Sequence, residues 1–229
     1  MHDEPGYDDA VNTLIKCVLL DFWNTVARFR DEELFLKELN ELGMQLCGVD
    51  SLAEAYEEVR KCTNILRRAS MVEINIDAEA ALISHYTGCS PSMVKEAITR
   101  AFIDNSVPTP CSLDVIRGLL SGGFGVAIVS NVTHRAFITG FMKKFKYPRI
   151  PIISSDRTLR RKPHPYIFRR ALRVLGCRPG EAVMVGDEEN DMGAESLGLI
   201  TVAVGGKARA RLAIEDLCGL PAVLRSINA

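Results

Sequence analysis

Residues 15–21, Ile-Lys-Cys-Val-Leu-Leu-Asp, form a short apolar run that stops at an acid, the pattern of a strand buried on both faces. From Asp31 the period lengthens. Leu34, Phe35, Leu39, Leu42 and Leu46 recur at helical spacing towards Gly43 and Gly48, and predict a first helix. Ser51 and Glu54 read as a capping box ahead of the stripe Leu52, Ala55, Tyr56, Val59, Cys62, Ile65 and Leu66. A third helix is predicted over 77–86, and Ser90-Pro91 open a fourth through Met93, Val94, Ala97, Ile98, Ala101 and Phe102. Beyond Pro108-Thr-Pro110 the pattern alternates: helix 112–121, strand 125–130, helix 134–145, strand 150–154, helix 165–175 and strand 182–186. A short helix 191–197, strand 199–204 and a final helix near 208–218 complete it.

Strands that alternate with helices imply an α/β fold, a doubly wound parallel sheet with right-handed crossovers. The sheet is built from 1–30 and 106–229, and 31–105 form an all-helical insertion after the first strand. At 229 residues, 47% of them hydrophobic, the chain is long enough for a large core. Twenty-eight Lys and Arg against 29 Asp and Glu leave a net charge of -1, which offers no basic field for nucleic acid or anionic lipid. No apolar run approaches the roughly 18 to 20 residues of a membrane span. The acidic start, MHDEPGYDDA, differs from a signal peptide, so a cytoplasmic protein is expected. The seven cysteines, odd in number and without close paired spacing, read as reduced thiols, mostly in the core.

Ligands of a doubly wound sheet bind beyond the carboxyl ends of its strands. Those ends carry Asp21, then Ser130 and Asn131, then Lys162 through a basic turn, then Asp187 with Asp191 close behind. Three carboxylates crowded on one edge repel unless a proton or a divalent cation lies among them, and oxygen ligands suit Mg²⁺. Lys162 and the Ser130 hydroxyl supply positive potential and a hydrogen bond for a small anionic substrate. Neighbouring residues read more blandly. His164 is a loop histidine, Arg28 and Arg30 are exposed linker cations, and Glu188 and Glu189 face solvent.

These residues carry a resemblance. Asp21-Phe-Trp-Asn-Thr25, Ser130-Asn131, Lys162-Pro163 and Gly186-Asp187-Glu-Glu-Asn-Asp191-x-Gly193-Ala194 resemble, in order, the four motifs of the haloacid dehalogenase-like hydrolase superfamily. The helical insertion resembles that family's four-helix cap. The resemblance implies that Asp21 is a nucleophile forming an aspartyl intermediate, and that Ser130 and Lys162 hold it and the substrate anion. It also implies a Mg²⁺ site formed by Asp21, the backbone carbonyl of Trp23, Asp187 and Asp191.

One position departs from the pattern. Family phosphatases carry a second Asp two residues after the nucleophile, a proton donor to the leaving group; here Trp23 stands there, and an indole cannot exchange that proton. Trp23 is expected either to stack on substrate or to pack against the cap. The favoured expectation is a Mg²⁺-dependent phosphohydrolase acting on a small metabolite with a good leaving group. Its rivals are a catalytically weak binding or regulatory protein and a metal-independent 2-haloacid dehalogenase.

Overall fold

The computed structural model describes residues 14–229. Its centre is a six-stranded parallel sheet of β1 (Cys17–Leu20), β4 (Gly125–Ser130), β5 (Ile152–Ser154), β6 (Ala182–Gly186), β7 (Ile200–Val204) and β8 (Leu212–Ile214). The strands lie in the order β5-β4-β1-β6-β7-β8. β1 pairs with β4 on one side and β6 on the other, so the direction of winding reverses at β1 and opens a crevice beyond its carboxyl end.

Alternation along the strands sorts the core onto two faces. Val18, Leu20, Val126, Ile128, Val183 and Val185 belong to one apolar cluster. Leu19, Ala127, Val129 and Met184 belong to another, together with Ile167, Phe168, Ala171 and Leu172 of helix α8 (Pro165–Leu175). Every residue of β1 and β6 is buried, as continuous apolar runs require when helices cover both faces.

Between β2 (Ala27–Phe29) and β3 (Ser106–Pro108) the chain makes a block of four helices: α1 (Glu32–Cys47), α2 (Leu52–Ser70), α3 (Ile76–Thr87) and α4 (Pro91–Asp104). Local chemistry sets their ends. Asp31 accepts from the backbone N–H of Glu33 and Leu34 to start α1, and Gly48, at φ 69°, closes it in the left-handed conformation. Ser90 caps α4 ahead of Pro91, as its sequence predicts. Ser51 precedes α2 without a side-chain cap bond, so the expected capping box is not formed. β2 and β3 pair antiparallel where the chain leaves and re-enters the sheet, a ribbon too short to show a period-2 signal.

The remaining helices are α5 (Ser112–Ser121), α6 (Arg135–Lys144), α7 (Ser155–Thr158), α9 (Glu189–Met192) and α10 (Leu220–Ile227). The carboxyl-terminal region corrects the sequence reading. In place of a helix over 208–218, Leu212–Ile214 pair in parallel with Val202–Val204 as β8, and the helix follows at α10. The Ala- and Arg-rich composition favours helix locally, but pairing to the open edge of β7 wins.

The cysteines correct it too. Cys17–Cys177, Cys47–Cys89 and Cys111–Cys218 are disulfide-bonded, and only Cys62, which is exposed, is free. The partners lie 160, 42 and 107 residues apart, separations that leave no motif in the sequence. No helix among the described residues is long and apolar enough to cross a membrane.

Candidate active site

Three strand ends and one loop deliver the site. Asp21 follows β1, Ser130 ends β4, Lys162 lies on the loop after α7, and Asp187 follows β6. Asp191 reaches back from α9 against Gly186, where a β-carbon would overlap the Asp191 carboxylate, so only glycine fits there. All five of these side chains are buried.

Lys162 Nζ lies 2.5 Å from Asp21 Oδ1 and 2.5 Å from Asp191 Oδ1, and donates to the Val129 carbonyl at 2.9 Å. One ammonium thus bridges two carboxylates. Asp187 Oδ2 accepts from Asn24 Nδ2 at 3.1 Å, and Asp191 Oδ2 from the Glu188 N–H at 3.1 Å. Asp21, Asp187 and Asp191 each bring an oxygen to within 4.8 Å of the others. Among the described residues, Asp21 Oδ2 and Asp187 Oδ1 receive no donor.

The electrostatics follow from this crowding. Burial, followed by the charge of Asp191, raises the Asp21 carboxyl to about 8 despite Lys162. Burial also raises Asp187, against the bond from Asn24. Burial works against the Lys162 charge, but Asp191 and Asp21 outweigh it and raise its pKa. Three acids and one lysine leave an excess of negative charge that a divalent cation neutralises, and the two undonated oxygens are hard ligands of the kind Mg²⁺ takes. The residues present therefore fit such an ion.

Other predicted site residues fall into place around this centre. Ser130 Oγ is buried and has no hydrogen-bond partner among the described residues, a polar atom left available for a ligand. The side chain of Asn131 is engaged twice by the Lys162 backbone, accepting from its N–H at 2.7 Å and donating to its carbonyl at 3.0 Å. Asn131 thereby holds the turn that presents the lysine. His164 caps α8, its Nδ1 accepting from the Tyr166 N–H at 3.2 Å, which accounts for it without chemistry.

Trp23 stacks on Phe29, with ring centroids 4.7 Å apart and planes at 3°, and meets Phe22 edge-on at 4.8 Å. Phe102 of α4 lies 5.8 Å from it. The indole thus joins the strand end to the helical block. It also faces a cavity of 280 Å³ between the sheet edge and the helices. Each strand-end segment contributes to that wall a residue beside its site residue: Trp23 near Asp21, Asn131 after Ser130, Arg161 before Lys162 and Glu188 after Asp187. Arg60, Asn64, Arg67, Phe102 and Phe137 extend it from the helices.

Two features escaped the sequence. Asn24, at φ 57°, turns the chain after Asp21 and holds Asp187; an Asn before Thr is a recognisable turn signal, but its partner is 163 residues away. The second is a buried ion network. Glu73, on the α2–α3 connection, takes Arg67 Nε at 2.8 Å and also accepts from Arg161 and Ser155. Arg67 Nη2 lies 2.5 Å from Glu79. Backbone bonds run alongside, from the Glu73 N–H to the Leu159 carbonyl at 3.1 Å and from the Ile76 N–H to the Thr133 carbonyl at 2.9 Å.

Residues 15–194 match the model of the haloacid dehalogenase-like hydrolases. Among curated proteins, the pyrophosphatase PpaX of Bacillus cereus strain AH820 is 30% identical over 104 residues, 44% of this chain and 48% of that one. The chain thus matches about half the length of that relative. Among solved structures, the defluorinating L-2-haloacid dehalogenase Rha0230 superposes with a TM-score of 0.67 at 18% identity, over 94% of this chain and 98% of that one. CbbY from Rhodobacter sphaeroides, in complex with phosphate, has a TM-score of 0.62 at 23% identity, over 90% and 96%. At these identities the two structures speak for the fold.

Proposed function

The chain belongs to the haloacid dehalogenase-like hydrolase family, and from that premise we propose a Mg²⁺-dependent phosphohydrolase with Asp21 as nucleophile. The observation that carries the reading is the buried Asp21, Asp187 and Asp191 triad, in which a single lysine bridges two of the three carboxylates. A dehalogenation at carbon has no use for so much uncompensated negative charge. The likeness to a pyrophosphatase supports the same substrate class.

In this reading Asp21, Asp187, Asp191 and the Trp23 carbonyl hold the ion, which when bound neutralises the acids and shields the nucleophile from the phosphoryl oxygens. An Asp21 carboxylate oxygen attacks phosphorus, the bond to the leaving oxygen breaks, and water later hydrolyses the aspartyl phosphate. Lys162 orients the Asp21 carboxyl and works against its raised pKa, and Ser130 Oγ donates to a phosphoryl oxygen. Helices α1–α4 act as the cap that excludes water. Because Trp23 cannot protonate the leaving oxygen, activated acyl, enol or aryl phosphates, or pyrophosphate-like anhydrides, are the substrates of choice.

Hydrolysis of 4-nitrophenyl phosphate tests this. Turnover in Mg²⁺ that is lost to chelator, and that falls about 10³-fold or more in Asp21→Asn, is expected. Chelator-insensitive release of halide from a 2-haloacid would favour the dehalogenase instead, and full activity in Asp21→Asn would remove the mechanism.

A further inference from the structure

The cavity over the strand ends extends away from them into a second cavity of 380 Å³ within the helical block, and the two share Phe29, Arg60, Asn64 and Phe102. Three guanidinium groups face the inner cavity. Arg67 and Arg161 are spoken for by Glu73 and Glu79. Arg60 is different: its Nη1 donates to the neutral Tyr56 hydroxyl at 2.6 Å, with the guanidinium 5.4 Å from the Tyr56 ring centre, and among the described residues it makes no ion pair. Carboxylates line both cavities, Glu188 the inner one, where it bonds Asn190, and Glu32 and Glu57 the outer one beside Lys61, but among the described residues none of them forms an ion pair with Arg60. Arg60 is thus a half-buried cation without a directly paired carboxylate among the described residues, at the junction of the two cavities and with aromatic walls between it and the strand ends.

We propose that the substrate carries a second anionic group, a carboxylate or a further phosphoryl group, bound by Arg60 while the reacting phosphoryl group lies at Asp21. This rests on the phosphohydrolase reading and names its substrate class, a compact bis-anion with an apolar or aromatic body. A planar guanidinium with open donors favours bidentate pairing to such a group, and the partial exclusion of water strengthens it.

Trp23 is the only tryptophan of the chain and faces the cavity, so its fluorescence reports occupancy. Titration in Mg²⁺ with phenylphosphonate, 4-carboxyphenylphosphonate and 1,4-phenylenebisphosphonate compares one anion with two. The wild type is expected to bind at least one of the doubly anionic probes about ten-fold more tightly than phenylphosphonate, the worth of one charged pair. Which probe gains tells carboxylate from phosphoryl. In R60Q the ratio should fall to about one, and a ratio removes any general loss of affinity. A wild-type ratio near one, or a ratio that survives R60Q, overturns the proposal. Turnover of 4-nitrophenyl phosphate on the same samples tests the phosphohydrolase reading separately: a ten-fold ratio without turnover keeps the subsite and removes that reading.

Discussion

At Trp23 a packing role and a chemical gap occupy one side chain. The indole lies flat on Phe29 and edge-on to Phe22, which makes it part of the seam between strand end and helices. In the proposed phosphohydrolase it also stands where a proton donor would serve the leaving group. Trp23→Asp is therefore expected to act in two directions. Loss of the aromatic contacts should destabilise the protein by about 3 kcal/mol, as large aromatic truncations do. The new carboxyl should raise turnover of alkyl phosphates about ten-fold relative to aryl phosphates. Calorimetric unfolding and the alkyl-to-aryl rate ratio, taken where the variant is folded, check the two effects. An unchanged ratio would mean that the missing acid is not what sets the substrate preference.

The element that links the helical block to the sheet edge is the α2–α3 connection. Glu73 forms an ion pair with Arg67 on α2 and accepts from Arg161 beside the site lysine and from Ser155 at the start of α7. Ser155 Oγ in turn accepts from the Val132 N–H at 2.8 Å, so the loops after β4 and before Lys162 both lean on one buried carboxylate. Glu73→Gln leaves Arg161 without its counter-charge and Arg67 with Glu79 alone, in a largely dry setting. The expected cost is about 3 kcal/mol, measured by denaturant unfolding. A loss below about 1 kcal/mol would show that the network is solvated and weak.

Across the whole molecule, three disulfides staple regions distant in sequence: β1 to the end of α8, α1 to the approach of α4, and the start of α5 to the turn before α10. By the chain-entropy account, closing loops of 42 to 160 residues contributes about 3 to 5 kcal/mol each. Reduction is expected to lower Tm by 10 °C or more, since 1 kcal/mol moves a domain of this size by roughly 2–4 °C. Alkylation of the native protein followed by mass spectrometry should find one reactive thiol, Cys62. Seven labelled cysteines would overturn the pairing.

What the sequence determined by itself was the α/β class, most element positions and the set of residues at the strand ends. Apolar runs ending in Asp21, Ser130 and Asp187 are local patterns, and the parallel topology carries such ends to one edge whatever the details. Helices with their own stops, such as α8 between Pro165 and Gly176, were legible for the same reason. Tertiary structure decided the rest, because each remaining feature joins residues with no spacing to betray them. Strand β8 exists only because β7 offers an open edge. The disulfides join cysteines from separate elements. Asn24 finds Asp187, and Glu73 finds Arg161, only after the chain has folded back on itself. The apolar stripe read along α2 is buried only in its first half, at Leu52, Tyr56 and Val59; Cys62, Ile65 and Leu66 are exposed and Thr63 and Arg67 are buried in their stead. The seating of that helix over the sheet, which also brings Arg60 to the cavity, is a relation between elements that no single stretch of sequence encodes.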